Sequence, residues 1–132
     1  MPTIFTRIIN REIPGRFVYE DDRCVAFLTI EPMYAGHTLV VPREEYDHWI
    51  DLPEDLNAHL WTIAQRVGKA IQAEFAPARV GVLVVGEEVP HVHVHVTGFD
   101  VVGQLNFANV RRDVTPDEFD DWQRRLANRL GR

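Results

Sequence analysis

The chain has 132 residues, enough for one domain with a buried core, and 45% of its residues are hydrophobic while 26% are charged. A net charge of −6 argues against a sequence-independent hold on nucleic acid, although a small phosphorylated ligand needs only a local pocket of donors. The single cysteine, Cys24, cannot form an internal disulfide, and residues 1–12 are too short and too charged for a signal peptide or a membrane span. We therefore expect a soluble, cytoplasmic protein with no nucleic-acid or membrane partner.

The first half of the chain predicts a short helix followed by three strands. Apolar residues recur at helical spacing over residues 4–9, and Pro14-Gly15 would stop this helix. The runs that favour a strand are residues 16–20, 24–30 and 37–41. Residues 21–23 join the first two of these runs as a hairpin turn.

The second half predicts a long helix, two strands and a last helix. Apolar residues three or four positions apart mark the main helix over residues 53–75, and Asp51 with Glu54 predicts its N-terminal cap. The next two strands are residues 80–86 and 91–99. Thr115-Pro116 predicts the capped start of a helix that ends near residue 130.

This order of elements indicates the fold class and the organisation of the chain. Consecutive strands with short connections favour antiparallel pairing, so we expect an α+β fold rather than a doubly wound parallel one. It would combine a five-stranded antiparallel sheet with a main helix, a short N-terminal helix and a C-terminal helix. No repeat or flexible linker divides the chain, so residues 1–105 would form the domain and residues 106–132 a helical extension of it.

The segment HVHVHV, residues 91–96, holds three of the six histidines. Successive side chains of a strand point to opposite faces, so His91, His93 and His95 would share one face, about 6 to 7 Å apart. The valines between them would cover the other face. A row of imidazoles over an apolar layer is therefore the first candidate site.

Two interpretations of this row do not involve nucleophilic catalysis. Histidines on an exposed strand are often ordinary surface residues, although Thr, Lys or Glu would serve there equally well. His-x-His also suits zinc or copper, but Cys24 is distant in sequence. Asp100 and His37 could contribute further ligands, yet no complete metal-hydrolase spacing is present.

The third interpretation is nucleophilic attack on phosphorus. The pKa of free imidazole, about 6.5, leaves much of it unprotonated at neutral pH, where it is a good nucleophile. Attack on a phosphoryl group gives a covalent phospho-imidazole, which divides one hard step into two easier ones. Flanking imidazoles, as charged or hydrogen-bonding donors, would hold the phosphate oxygens.

Residues 91–97, HVHVHVT, resemble the His-φ-His-φ-His-φ-φ signature, φ being apolar, of the histidine triad superfamily of nucleotide hydrolases and transferases. Further segments are similar to its adenosine-phosphoramidase-type branch: IFTRIINREIP, VYEDDRCVAF and GHTLVVP. The resemblance covers about residues 3–99 and implies the histidine-triad fold for this domain. Residues 100–132 carry no motif of the family.

The resemblance implies roles for four histidines. His93 would be the nucleophile and form a nucleotidyl-histidine intermediate. His95 would hydrogen-bond the phosphate and help it depart, and His91 would orient the row through a backbone carbonyl. His37 would bond to a member of the triad from a neighbouring strand. The reaction would need neither a metal nor a cofactor.

The resemblance also places the nucleoside between the first helix and the hairpin. The apolar residues that would clamp the base are Ile4, Phe5, Ile8, Phe27 and Ile30. Each of them could equally be ordinary core. Thr29 would face the ribose, and the loop Gly86-Glu87-Glu88-Val89 would face the phosphate.

Three departures from the family pattern bear on the substrate. Thr29 replaces an Asp or Asn that contacts ribose hydroxyls, so a bidentate grip is lost. Glu87-Glu88 replaces neutral donors; these carboxylates would repel a phosphate, or stabilise an imidazolium and raise the pKa of a triad histidine. Thr3 and Thr6 replace the Cys-x-x-Cys of many relatives, so we expect no structural zinc.

The expected function is hydrolysis of, or transfer from, a nucleoside phosphoramidate or related nucleoside monophosphate ester, with a purine nucleotide such as AMP or an adenosine phosphoramidate as the ligand. The alternative is a nucleotide-binding or interaction module with weak or no catalysis. The resemblance further implies a twofold homodimer, with Phe75 and residues 80–83 as candidates for the interface. His48 and His59 are interpreted as exposed and incidental, although His59 on the main helix could reach a neighbour.

Overall fold

A computed structural model describes residues 1–131, and Arg132, the last residue of the predicted extension, lies outside them. The helices are α1 (Ile4–Ile9), α2 (Glu54–Phe75) and α3 (Pro116–Leu130). The strands are β1 (Phe17–Glu20), β2 (Cys24–Leu28), β3 (Thr38–Pro42), β4 (Arg79–Leu83) and β5 (Val94–Phe99). Short 3-10 turns lie at Trp49–Asp51, Val102–Gln104 and Phe107–Asn109.

The five strands form one antiparallel sheet in the order β1-β2-β3-β5-β4, which confirms the α+β fold class. Strand β5 follows β4 in sequence but lies between β3 and β4 in space. It is therefore an interior strand with a hydrogen-bonded neighbour on each side. Side chains on β5 are held by pairing on both edges.

Side-chain alternation divides the sheet into two apolar faces. The residues of the sheet and of the segment just before β5 that face α2 and α3 include Val18, Ala26, Val40, Val92, Val94 and Val96. The residues of the opposite cluster are Phe5, Ile9, Phe17, Val25, Phe27, Leu39 and Val41, which join α1 to the sheet. The valines of HVHVHV thus belong to the larger core, and the histidines face the α1 side.

Helix α3 begins as predicted and completes the larger core. The Thr115 hydroxyl accepts a hydrogen bond from the Glu118 N–H, and the Glu118 carboxylate accepts one from the Thr115 N–H. Trp122, Leu126 and Leu130 are buried in the cluster that also contains α2. The described part of the C-terminal extension therefore packs on the same core as the sheet.

The predicted cap of α2 is wrong. Asp51 lies in the preceding 3-10 turn, and the N-cap residue is Pro53, which makes no side-chain capping bond. The Pro53 carbonyl accepts the first helical hydrogen bond, from the Asn57 N–H at 2.8 Å. Glu54 and Asp55 instead place negative charge in the first turn, where it interacts favourably with the helix dipole.

Several element ends also differ from the predicted ones. Strand β5 begins at Val94 rather than residue 91, because the Val92 N–H bonds to the Tyr46 carbonyl at 2.7 Å and not to β3. Strand β4 ends at Leu83, before residue 86. Helix α1 ends at Ile9, ahead of Pro14-Gly15, and Arg11 turns the chain with a φ of 62°.

Within residues 1–131, no helix combines the length and the apolar character that crossing a bilayer requires.

Gly36, two residues before the first β3 residue Thr38, is a position where the fold requires glycine. Its φ is +81°, and a Cβ atom there would overlap the ring of Phe75. We expect Gly36→Ala to lower the free energy of unfolding by about 2 to 4 kcal/mol, through left-handed strain plus overpacking, measured by urea denaturation.

Gly103→Ala is the matched control for this substitution. A Cβ atom at Gly103 meets no heavy atom within 4 Å, and its φ is not positive. Equal midpoints for the two variants would contradict the assignment of strain to Gly36.

Candidate active site

A cavity of about 850 Å³ opens on the α1 side of the sheet, between α1, the end of β2 and the loop before β5. The predicted site residues that line it are Ile4, Phe5, Ile8, Phe27, Thr29, Ile30, Gly86, Glu87, Glu88, Val89, His93 and His95. His91 and His37 are buried and bond to the inner side of this lining. The structure therefore brings the predicted residues together around one cavity.

The floor of the cavity is a row of side chains across the sheet. The register pairs Phe27 with Leu39, Leu39 with His95, and His95 with Leu83. Directly opposed residues share a face, so His95 stands beside apolar neighbours on β3 and β4. The imidazole of His95 is buried as a consequence.

His91 is fully buried, and both of its ring nitrogens make hydrogen bonds. Its Nε2 lies 2.8 Å from the Pro42 carbonyl oxygen, and its Nδ1 lies 2.7 Å from the Thr3 hydroxyl. A carbonyl only accepts, so Nε2 carries the proton and Nδ1 of the neutral ring accepts from Thr3. Both ring nitrogens are therefore engaged away from the cavity.

The backbone of His91 determines the tautomer of His93. The His93 Nδ1 lies 2.8 Å from the His91 carbonyl oxygen, so Nδ1 must carry the proton that this bond needs. In the neutral ring the lone pair is then on Nε2. The ring that lines the cavity therefore has an unprotonated nitrogen, the form in which an imidazole can act as a nucleophile.

His37 gives His95 the opposite tautomer. The Met33 N–H donates to the His37 Nδ1 at 3.0 Å, so the proton of the neutral His37 ring is on Nε2. That Nε2 lies 3.0 Å from the His95 Nδ1 and donates to it. The proton of neutral His95 is then on its Nε2, so an acceptor and a donor lie on adjacent rings of the same face.

The rings lie closer together than the strand rise predicts. The centroids of His93 and His95 are 5.0 Å apart, and those of His93 and Phe5 are 4.7 Å apart with the planes at 75°. On the other side the Phe107 ring lies 5.1 Å from His95. Tilted rings packed edge to face between two phenylalanines account for the shorter spacing.

Burial keeps the imidazoles neutral in the free protein. It lowers the pKa of His37 to about 3 and that of His95 to about 4, and in each case the neighbouring histidine adds to the effect. Burial also lowers the pKa values of His91 and His93. The alternative of charged flanking imidazoles is therefore wrong for the free protein, where they act as hydrogen-bonding groups.

The Glu88 carboxylate favours protonation of His93 less than burial opposes it. Glu87 and Glu88 are exposed at the cavity. The charge of Glu88 favours a protonated His93, but burial outweighs it and the pKa of His93 is lowered overall. The predicted direction of the Glu88 effect on the pKa of His93 is therefore confirmed, although burial has the larger effect.

The apolar clamp separates into core residues and exposed wall. Phe5 and Phe27 are buried in the α1 cluster, whereas the side chains of Ile4 and Ile30 are 48% and 80% exposed at the cavity. Exposed isoleucines gain most from being covered by an apolar ligand. Phe5 and Phe27 are therefore core residues that also line the cavity, and Ile8 packs against the same cluster.

Thr29 keeps a hydroxyl proton for a ligand. Its Oγ1 accepts a hydrogen bond from the Glu31 N–H at 3.1 Å, which leaves the O–H able to donate. Beyond it, the Arg112 guanidinium pairs with the Glu31 carboxylate at 3.0 Å at the cavity wall.

Sequence patterns missed part of this lining. Phe107, Val110 and Arg112 lie in a segment without repeating spacing, and they reach the cavity through the path of the chain after β5. The N–H of Arg111 donates to the Pro32 carbonyl at 2.7 Å and holds this segment near the end of β2. An isolated aromatic residue in a polar loop was the one available signal, at Phe107.

Asp100 is not brought to the triad. Its carboxylate accepts hydrogen bonds from the Tyr34 hydroxyl at 3.0 Å and from the Ala78 N–H at 2.9 Å. The metal-hydrolase interpretation that joined Asp100 to the histidine row therefore lacks this ligand.

Among residues 1–131, the one group of three His, Cys or acidic side chains close enough to share a metal ion is Asp21, Cys24 and His59. Burial opposes ionisation of Asp21, but hydrogen bonds from the N–H groups of Cys24 and Arg23 and from Tyr19 and His59 lower its pKa to about 2. Burial raises the pKa of the Cys24 thiol to about 12. The Nε2 of His59 lies 2.6 Å from Asp21 and ties α2 to the hairpin, so His59 reaches a neighbour from the main helix, as the sequence allowed.

The chain is similar in sequence to known proteins. The HIT domain family matches residues 10–101 of the chain. An uncharacterised HIT-like protein of Methanocaldococcus jannaschii is 39% identical over 100 residues, which are 70% of this chain and 75% of that protein.

Solved structures are similar over nearly the whole chain. A hypothetical histidine triad nucleotide-binding protein from Sulfolobus tokodaii superposes with a TM-score of 0.84 at 26% identity, over 97% of this chain and 91% of that one. A zinc-bound histidine triad family protein from Mycobacterium smegmatis gives 0.82 at 27% identity, over 97% and 92% of the two chains. With its signature at residues 91–97 and these matches, the chain belongs to the HIT family.

Proposed function

We propose that this protein is a nucleotide-binding hydrolase or transferase that cleaves a nucleoside phosphoramidate, or a related nucleoside monophosphate ester, through a covalent intermediate on His93. The observation that carries the proposal is the pair of opposite tautomers on neighbouring rings. His93 presents a lone pair on Nε2, because its Nδ1 donates a hydrogen bond to the His91 carbonyl. His95 presents an N–H at Nε2, because its Nδ1 accepts a hydrogen bond from His37. One ring can attack phosphorus while the other donates to a phosphate oxygen.

The reaction divides into two displacements at phosphorus. In the first, the His93 Nε2 lone pair forms a bond to phosphorus, and the bond from phosphorus to the leaving nitrogen breaks. The leaving amine departs with that electron pair and takes up a proton. In the second, a water oxygen attacks the same phosphorus, loses a proton and releases the nucleoside monophosphate, and the electron pair returns to Nε2.

The binding site for the nucleoside is supported by the apolar wall. Ile4 and Ile30 are exposed beside buried Phe5 and Phe27, which gives a flat apolar slot of the kind that a purine base fills. The Thr29 hydroxyl is free to donate to a ribose oxygen. The Sulfolobus tokodaii relative is described as a nucleotide-binding protein, which is consistent with AMP or an adenosine phosphoramidate as the ligand here.

A second candidate function is nucleotide binding with weak or no catalysis. Glu87 and Glu88 favour it, because two carboxylates beside the cavity oppose the approach of a phosphate. Calorimetry that shows AMP binding without turnover of any phosphoramidate or dinucleotide would establish this alternative.

The nucleophile is tested with His93→Ala. Removal of Nε2 should reduce turnover of an adenosine phosphoramidate by at least about a thousandfold, measured as release of the amine. Binding of AMP, measured by calorimetry, should persist because the apolar wall is unchanged. Wild-type activity should survive a chelator, since the steps above use side chains of this chain.

The control is His48→Ala, which removes an exposed imidazole from a loop that does not line the cavity. It should retain wild-type turnover. Full turnover by His93→Ala would remove the mechanism.

The pH dependence follows from the lowered pKa of His93. The neutral ring is the active form, so the rate is full above the pKa and falls as the pH drops through it. We expect the acid limb of kcat/KM to have its midpoint below 6.5, the value for free histidine, measured between pH 4.5 and 8 with spontaneous hydrolysis subtracted.

Glu88→Gln tests how much the Glu88 charge contributes to this midpoint. The Glu88 charge favours the protonated form of His93, so its removal should move the midpoint to still lower pH. A wild-type midpoint above 6.5 would mean that the carboxylate, not burial, controls the nucleophile.

A homodimer is part of the same proposal. Strand β4 is an edge of the sheet, and Val82 on it is 49% exposed, so a second copy could continue the sheet. Phe75, also a predicted contact, is partly buried against Trp122 and Arg125 instead.

We expect light scattering to give twice the monomer mass for the wild type and a monomer for Val82→Lys, because a buried ammonium group disfavours edge pairing. Val102→Lys, at a residue that is 76% exposed outside the sheet, should remain dimeric. A monomeric wild type would refute this assembly.

A further inference from the structure

A hydrogen-bonded network joins the start of α1 to the first histidine of the triad. The Thr3 hydroxyl lies 2.7 Å from the His91 Nδ1, and it accepts a hydrogen bond from the Thr6 N–H at 3.2 Å as the N-cap of α1. Behind it, the Glu45 carboxylate accepts from the Thr3 N–H at 2.9 Å and from the Thr6 hydroxyl at 2.5 Å. The same threonine thus caps a helix and contacts the triad.

The direction of each proton in this network is determined. The His91 Nε2 donates to the Pro42 carbonyl, so Nδ1 of the neutral ring accepts and the Thr3 hydroxyl donates to it. Replacement of the hydroxyl by a methyl group would leave a buried Nδ1 without a donor. An unsatisfied buried nitrogen costs free energy, and the ring would be free to reorient.

The position of His91 matters because its carbonyl oxygen holds the His93 Nδ1. The α1 residue Phe5 also packs its ring 4.7 Å from His93 and 5.8 Å from His91. Both contacts to the nucleophilic ring therefore depend on where the N-terminus of α1 lies. The Thr3–His91 hydrogen bond ties these two segments together in addition to the ring contacts of Phe5.

We propose that Thr3, supported by Glu45, is a positioning residue: it keeps His91 in one tautomer and orientation and thereby holds the His93 nucleophile in line. Its effect on rate rests on the proposed function, whereas its effect on the His91 ring does not.

Many relatives carry a Cys-x-x-Cys at the positions of Thr3 and Thr6, and such a pair would suggest a zinc site. The groups present do not fit it: Thr3 and Thr6 supply hydroxyls, not thiolates, and their hydroxyl protons are engaged by His91 and Glu45. In this chain the junction of α1 and the triad is made by hydrogen bonds.

The test compares Thr3→Val, Thr3→Ser and the wild type by nitrogen-15 spectra of labelled histidine, with His91→Asn used to assign the His91 signals. In the wild type the His91 Nδ1 should show the shift of a hydrogen-bonded, unprotonated nitrogen. In Thr3→Val it should move to the value of an unprotonated nitrogen without a donor, and Thr3→Ser should restore it. Thr62→Val, on the exposed face of α2, is the matched control.

The kinetic arm separates positioning from binding. Thr3→Val should lower kcat for the phosphoramidate by about tenfold while the Kd for AMP stays within about twofold, and Thr3→Ser should recover most of the rate. Glu45→Ala, at an exposed residue whose loss does not threaten folding, should shift the His91 signal in the same direction by a smaller amount.

Unchanged His91 signals in both Thr3→Val and Glu45→Ala would overturn the proposal, as would a shifted signal with wild-type kcat. A shifted signal in a protein whose wild type has no turnover would leave the network established and refute the proposed function instead. The two failures are therefore distinguishable.

Discussion

The bond from the His93 Nδ1 to the His91 carbonyl oxygen is the interaction on which the chemistry of the site depends. A carbonyl oxygen cannot donate, so it forces the proton of His93 onto Nδ1 and the lone pair onto Nε2. No charge is needed for this selection, and burial makes charge unfavourable at the same place. The backbone of one triad member thus determines the tautomer of the next.

A chain of hydrogen bonds from Met33 through His37 to His95 determines the tautomer of His95 in the same way. The resulting tautomer is the opposite of that of His93. The Met33 N–H at the start of this chain has the effect that the proton of neutral His95 is on its Nε2. Two relays that start from different backbone groups therefore give adjacent imidazoles complementary roles. The apolar residues around them strengthen both relays, since a hydrogen bond is stronger in a low dielectric.

Local periodicity explains why much of this architecture could be predicted. The alternation in residues 91–96 assigns the histidines to one face without any knowledge of partners, and the Thr115 capping box depends on residues three positions apart. The cap of α2 could not be predicted in the same way, because the 3-10 turn at Asp51 moves the helix start to Pro53. Residue spacing carries no information about such a turn.

Contacts between distant segments are the part that sequence patterns could not supply. Thr3 is 42 residues from Glu45 and 88 from His91, and no residue spacing indicates that its hydroxyl contacts them. Phe107 reaches His95 through an irregular loop. By contrast, the pairing of His37 with a triad member could be anticipated from the resemblance, which placed it on a neighbouring strand.

The order of the sheet, with β5 between β3 and β4, has a consequence for how the molecule is assembled. A nascent chain that has not yet produced residues 94–99 leaves the inner edge of β3 open, and β4 then has no partner strand in the sheet. Open strand edges of this kind pair with other chains and promote aggregation. Insertion of β5 closes both edges at once, so the step that completes the sheet also places His95 in the floor of the cavity.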